Sequence, residues 1–231
     1  MSSKGRDLKD EVKFPVRAVI AAHAFAFAGC VGGVSFFDVQ FPTPLQHLLE
    51  PVGVAAGTAV GLEITRLFVL GLLSARWRDR IAHMRFKAPL PGSWAFSKIA
   101  AEDYRVDLEA LRSEYGPLPA DPVEQNRLFY RMSKAVGDDP GVCNAHKSYL
   151  AARDIAVICW LALIPLSMAA FIIAPRSNGA AIYAAGLALV AIAASVIPRN
   201  YGVRFVQNVL AAVTAAPSIS RPASSEVLSC T

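Results

Sequence analysis

Seven polar side chains near the middle of the chain are of types that hold anions. Gln125, Asn126, Tyr130 and Arg131 fall within two turns of one expected helix, although no single face holds all four. His146, Tyr149 and Arg153 fall at i, i+3 and i+7 of the next helix and share a face. Planar guanidinium groups pair bidentately with phosphate or carboxylate. Antiparallel packing of the two helices would therefore build an anionic-ligand pocket from Arg131, Arg153, His146 and Tyr130. The competing reading is a buried hydrogen-bond network, with Arg153 or Arg131 paired to Asp154, Asp121 or Asp107. A second constellation, Glu63 and Arg66, stands in an otherwise apolar run. Charges there cost roughly 2.5–3.5 kcal/mol each at mid-membrane. Their i, i+3 spacing suits either a structural ion pair or the polar lining of an ion or solute path.

Catalytic patterns are missing. The four histidines, His23, His47, His83 and His146, include no pair at metal-ligand spacing, and there is no GxxxxGK[ST], GxGxxG after a strand, or GxSxG. Asp138-Asp139 precedes a proline and reads as a turn and helix cap. The expectation is no catalytic residue, no metal and no cofactor. Cys30, Cys143, Cys159 and Cys230 are scattered, which suggests unpaired thiols. Phe27-Ala28-Gly29-Cys30 resembles a lipidation site, but the apolar run continues seven residues past Cys30.

Hydrophobic residues make up 54% of the 231 and charged residues 18%. The apolar residues are bunched into four runs, which implies an all-α polytopic membrane protein of two transmembrane hairpins. After a charged leader at 1–17, hairpin one occupies 18–75, with helices at 18–37 and 51–75. A cytosolic helical domain fills 76–153. Hairpin two occupies 154–198, with helices at 155–174 and 179–197. An amphipathic helix at 199–216 and a Ser/Pro-rich tail at 217–231 follow. Gly29 and Gly33 in the first helix, and Gly53, Gly57 and Gly61 in the second, form flat ridges that favour close helix packing and self-association. The outside loops carry one basic residue against 5, 13 and 3 in the inside segments, so both termini are expected in the cytosol. This asymmetry accounts for the net charge of +5 without nucleic acid.

Within 76–153, helix two should continue through Phe86 and break at Lys87–Gly92. A helix is expected over 101–115, ended by Gly116-Pro117-Leu118-Pro119. Asp121-Pro122 with Glu124 is a helix start, and Asp139-Pro140 starts a helix running straight into the third span. The basic run Arg76–Lys87 suits anionic headgroups, at about 1 kcal/mol per residue near the surface.

The run Leu90-Pro91-Gly92-x-x-Ala95-Phe96, then Asp103-x-Arg105-x-Asp107-x-x-x-Leu111, resembles the centre of an uncharacterised family of bacterial integral membrane proteins. Gly116-Pro117-Leu118-Pro119-x-Asp121-Pro122-x-Glu124-Gln125-Asn126-x-Leu128-x-Tyr130-Arg131, Asp139-Pro140-x-Val142, His146, Leu150 and Arg153-Asp154 continue the likeness over about 65 residues. The resemblance implies architecture and a bacterial inner-membrane location, with no chemistry attached. The functional expectation is a non-enzymatic, membrane-anchored interaction or signalling module, possessing lipid contacts and a tendency to homo-oligomerise. Its cytosolic domain would bind a protein partner or a small anionic ligand. The rival expectation is a channel or pore-forming effector with Glu63 and Arg66 lining or gating the path.

Overall fold

The computed structural model describes residues 8–31, 71–174 and 178–215, with scattered positions between 56 and 67. Among the described residues the chain is helical and has no strand. The helices are α1 (Leu8–Val31), α2 (Ala75–His83), α3 (Leu108–Tyr115), α4 (Pro122–Ala135), α5 (Pro140–Ile173) and α6 (Asn178–Ala215). Between α2 and α3 lies a run of short turns: 3-10 at Pro91–Trp94, π at Ala95–Ile99 and α at Ala100–Glu102.

The contacts divide the chain into two compact units. The first takes its described residues from 8–12, 83–152 and 196–215. Its core joins Phe96, Leu111, Leu128, Phe129 and Met132 to a stripe on α6, Phe205, Val206, Val209, Leu210 and Val213. Each large apolar side chain buried this way contributes about 1.5–3 kcal/mol. Phe205 is the hinge of the packing, meeting Phe129 edge-on at 5.5 Å and the His146 ring face-on at 4.7 Å. Aspartate caps set the helix starts. Asp107 accepts from Glu109 N and Ala110 N, Asp121 from Val123 N and Glu124 N, and Asp139 from Val142 N. Each cap is worth about 1 kcal/mol.

Several expected boundaries move. The helix expected over 101–115 is broken at 103–107, because Asp103 accepts from Arg105 N and Nε and Asp107 then starts α3 afresh. The Pro-Gly stretch after Leu90 forms helical turns rather than a plain break, since Pro91 sits at a first-turn position that needs no N–H donor. α2 stops at His83 and not at Phe86, with Met84 at φ 49°. No break separates a spanning helix from an amphipathic one at Arg199; α6 runs through Pro198 as one helix. Likewise α1 begins at Leu8, inside the charged leader.

The second unit takes its described residues from 13–82 and 153–195. Its packing centres on Phe27, Tyr183 and Leu187, on Ala156, Val157 and Cys159, and on Val16, Ile20 and Ile158. Trp160 Nε1 donates to Ser195 Oγ at 2.6 Å, and that hydroxyl donates to Ala191 O. Where four spanning helices were expected, two described helices, α5 and α6, are long and apolar enough to cross a membrane. Pro15–Val31 is a shorter apolar helix, and most of 51–70 lies outside the described residues. Cys30 and Cys159 are free thiols, whereas Cys143 is disulfide-bonded, against the expectation of unpaired cysteines. Spacing alone could not have shown this, since sequence separation does not encode which thiols meet.

Candidate functional site

The residues singled out in the sequence have different surroundings in the fold. Gln125 is fully buried and its amide is consumed by structure: Oε1 accepts from Phe96 N at 3.0 Å and from Ser97 N and Oγ at 3.2 Å, while Nε2 donates to Ala120 O. Asn126 packs against Gly92, where an added Cβ would lie 2.6 Å from its Oδ1 and would also collide with Phe129 Cδ1. Tyr130 and Arg131 are exposed on α4, with Lys134 over the Tyr130 ring. His146 is stacked on Phe205. Tyr149 is buried, with its hydroxyl 3.2 Å from His83 Nε2.

Arg153 belongs to the second unit, where carboxylates surround it. Its Nε and Nη2 each donate to Asp154 at 3.1 Å, and its Nη1 lies 3.4 Å from Asp79. Arg78 Nη1 is 3.7 Å from the same Asp154 oxygen. The Arg153–Asp154 pairing is one that the sequence reading named. Glu63 lies 3.9 Å from Arg17, and Arg66 lies outside the described residues. Of the glycine ridge, Gly33 and Gly53 are also outside. At Gly29, Gly57 and Gly61 an added Cβ would meet nothing within 4 Å among the described residues. The close approaches are at Gly92 and at Gly202, whose Cβ would sit 3.1 Å from Pro91.

A different site is built in the first unit, by the segment that follows α2. Arg199 Nη2 donates to His83 O at 2.7 Å, which places a cation on the last carbonyl of α2. Trp94 Nε1 donates to Ala88 O at 3.2 Å. Between these fixed points both Met84 (φ 49°) and Ala88 (φ 46°) occupy the left-handed region, at a cost of about 1–2 kcal/mol each for residues other than glycine. The chain so bent carries Arg85 and Lys87 into the wall of a cavity of about 460 Å³. Trp94, Lys98 and Glu102, four residues apart on the helical turns, line a second side, and Arg199 with Val203, one turn apart on α6, a third.

The cavity's charge is lopsided. Arg85, Lys87, Lys98 and Arg199 face one acid, Glu102, and His83 also lines it. Among the described residues no ion pair involves Arg85, Lys87 or Lys98. Nearby, by contrast, Arg105 is committed: its Nη2 sits 2.8 Å from Asp103 Oδ2. That guanidinium, hydrogen-bonded to Asp103, holds the carboxyl below the usual carboxylate range and is itself raised in return.

No protein-family model, curated protein or solved structure matches this chain. The likeness of the central motif run therefore rests on its residues alone. Placed on the structure, that run is largely scaffold: Gly92, Asp103, Arg105, Asp107, Asp121 and Gln125 pack, cap or clamp. The cavity cations Arg85, Lys87 and Arg199 lie outside the run. Their sequence signal was the basic stretch after the second apolar segment, read there as headgroup contacts. What the sequence did not expose was that Lys98, Glu102 and Arg199 join it.

Proposed function

We propose that this is a multi-pass inner-membrane protein, with both termini cytosolic, whose helical cytosolic unit binds a small anion in the cavity at Arg85, Lys87, Lys98 and Arg199. The observation that carries this reading is the cluster of cations around an open cavity with a single carboxylate. Cations without carboxylate partners, set in a cavity of small-ligand size, are complementary to an anion. Membrane placement draws support from the burial pattern. Only 33% of the apolar window of α5 and of α6 is buried within the chain, whereas the core helix of a soluble domain is mostly buried. Ile164, Met168, Ile172, Ile182 and Leu189 are more than half exposed, as side chains facing lipid would be. The positive-inside distribution supplies the orientation.

The test is calorimetric titration of inorganic phosphate into the full chain in neutral detergent at constant ionic strength. Binding should weaken by about ten-fold, or 1.4 kcal/mol, in the Lys87→Gln, Lys98→Gln double variant. It should not change in Arg131→Gln. Sensitivity to Arg131 with indifference to Lys87 and Lys98 would refute the cavity assignment.

A further inference from the structure

The lining of the cavity says more about the ligand than its charge. Beside the cations stand Leu90, Pro91, Trp94, Ile99 and Val203. A free inorganic anion gains nothing from such walls, and it is costly to desolvate against them. The two kinds of surface are also sorted by element. Arg85 and Lys87 come from the strained segment, and Trp94 and Ile99 from the helical turns. Arg199 and Val203 bring one of each from a single face of α6. The indole of Trp94 is held by its bond to Ala88 O, so the apolar wall is fixed to the same carbonyl that ends the strained stretch. Strain of this kind persists where surrounding structure overrides it, and it clusters at ligand sites. In sequence, Arg199 follows directly on the apolar run 179–197, a position at which basic side chains meet lipid phosphates.

From this we infer that the cavity receives a phosphorylated amphiphile. A phosphate ester would be held by Arg85, Lys87 and Lys98, and its apolar part would lie against Leu90, Trp94, Ile99 and Val203. The inference rests on the anion-binding reading above and narrows it to one ligand class. Such a ligand can be a bilayer lipid or a soluble phosphorylated amphiphile; the chemistry at the cavity is shared. Glu102 opposes the phosphate, so its neutralisation strengthens binding.

The experiment titrates three probes into the full chain in neutral detergent: glycerol phosphate, dihexanoyl phosphatidic acid and dihexanoyl phosphatidylcholine. Phosphatidic acid is expected to bind at least about ten-fold more tightly than glycerol phosphate, since burial of a few methylenes supplies that factor. It is also expected to bind more tightly than phosphatidylcholine, whose choline cation offsets the phosphate charge that the cavity cations would meet. Lys87→Gln with Lys98→Gln weakens phosphatidic acid and glycerol phosphate alike. Val203→Asn weakens only phosphatidic acid, and Glu102→Gln tightens both. All of these side chains are exposed, so the variants are expected to fold, and their helical circular dichroism checks it. Equal affinity for glycerol phosphate and phosphatidic acid would overturn the amphiphile inference while leaving the anion site standing. Binding of neither overturns both readings. Affinity for phosphatidylcholine equal to that for phosphatidic acid would show that the cations do not select the ligand, and also overturns it. Repeating the titration in phosphatidylcholine vesicles with and without phosphatidic acid separates the sources. Competition by the membrane lipid supports the amphiphile reading with the bilayer as supplier, and persistence of soluble-probe binding supports it with a soluble ligand.

Discussion

The two units treat the same residue types in opposite ways. In the second, Arg153 is nearly enclosed and meets Asp154 and Asp79, with Arg78 close to Asp154. In the first, Arg85, Lys87 and Lys98 line an open volume with only Glu102 for opposition. Burial explains the difference. Removing an ion from water costs several kcal/mol even after relaxation, so a guanidinium in a packed interior is stable only with carboxylates against it. A cation on a solvated wall carries no such penalty and keeps its charge for a ligand. Arginine is therefore informative about function only once its burial is known. Arg153 and Arg131 were both read as ligand-binding, yet one is neutralised within its unit and the other stands exposed on α4.

The sharpest way to break that comparison is to strip a carboxylate from the paired cluster. Asp154→Leu takes from Arg153 its two hydrogen bonds to Asp154 and from Arg78 its ion pair with the same carboxylate. A destabilisation of about 3–5 kcal/mol is expected, read as loss of helical signal in thermal melts of the full chain. Glu102→Gln in the cavity should not lower the melting temperature. If the two substitutions cost the same, the distinction between paired and available charge fails.

A smaller effect separates the glycines. Gly92→Ala drives a methyl group into Phe129 and Asn126 and is expected to cost about 1–3 kcal/mol by overpacking. Gly57→Ala meets open space in a helical position and should be neutral, or stabilising by up to about 1 kcal/mol from helix propensity. Denaturant melts of both variants decide this. A costly Gly57→Ala would mark the glycine ridge as a packing surface, for instance against a second copy of the chain.

The smallest effect is pH-dependent. The Asp103 carboxyl is held below its ordinary value by its hydrogen bonds to Arg105. Because the folded-state pKa is depressed, this stabilisation is complete above the unfolded value, near pH 4, and is lost as pH falls through the lower folded one. Asp103→Asn should therefore lower the melting temperature at neutral pH, and the gap from the parent chain should close on acidification below about pH 4. A gap that stays constant with pH would mean that the contribution is packing and not charge.

How far each feature could be read from the chain depended on how local its cause is. The starts of α4 and α5 were legible because Asp121-Pro122 and Asp139-Pro140 act on N–H groups two and three residues away. The amphipathic helix expected over 199–216 was legible from the spacing of its apolar residues, of which Phe205, Val209 and Val213 are core. The break at 103–107 was missed. Helical spacing of charges in 101–115 said nothing of Asp103 turning its side chain onto Arg105 N. Gln125 looked like a binding residue because its type is polar, and only the fold reveals that Phe96 and Ser97, far back in the chain, use up its oxygen.

The sequence by itself determined the helical class, the caps at Asp121 and Asp139, and the sorting of apolar and basic segments. These follow from hydrophobic periodicity, from short-range hydrogen bonding, and from the cost of placing charge in hydrocarbon. Tertiary structure alone decided which cations stay available. Lys87 and Lys98 lie more than a hundred residues before Arg199, and no local signal tells a lysine whether its neighbours in space will be carboxylates or a cavity. Packing α6 against the turns after α2 assembles those walls, and Gly92 and Gly202 permit the contact because they have no side chain to obstruct it.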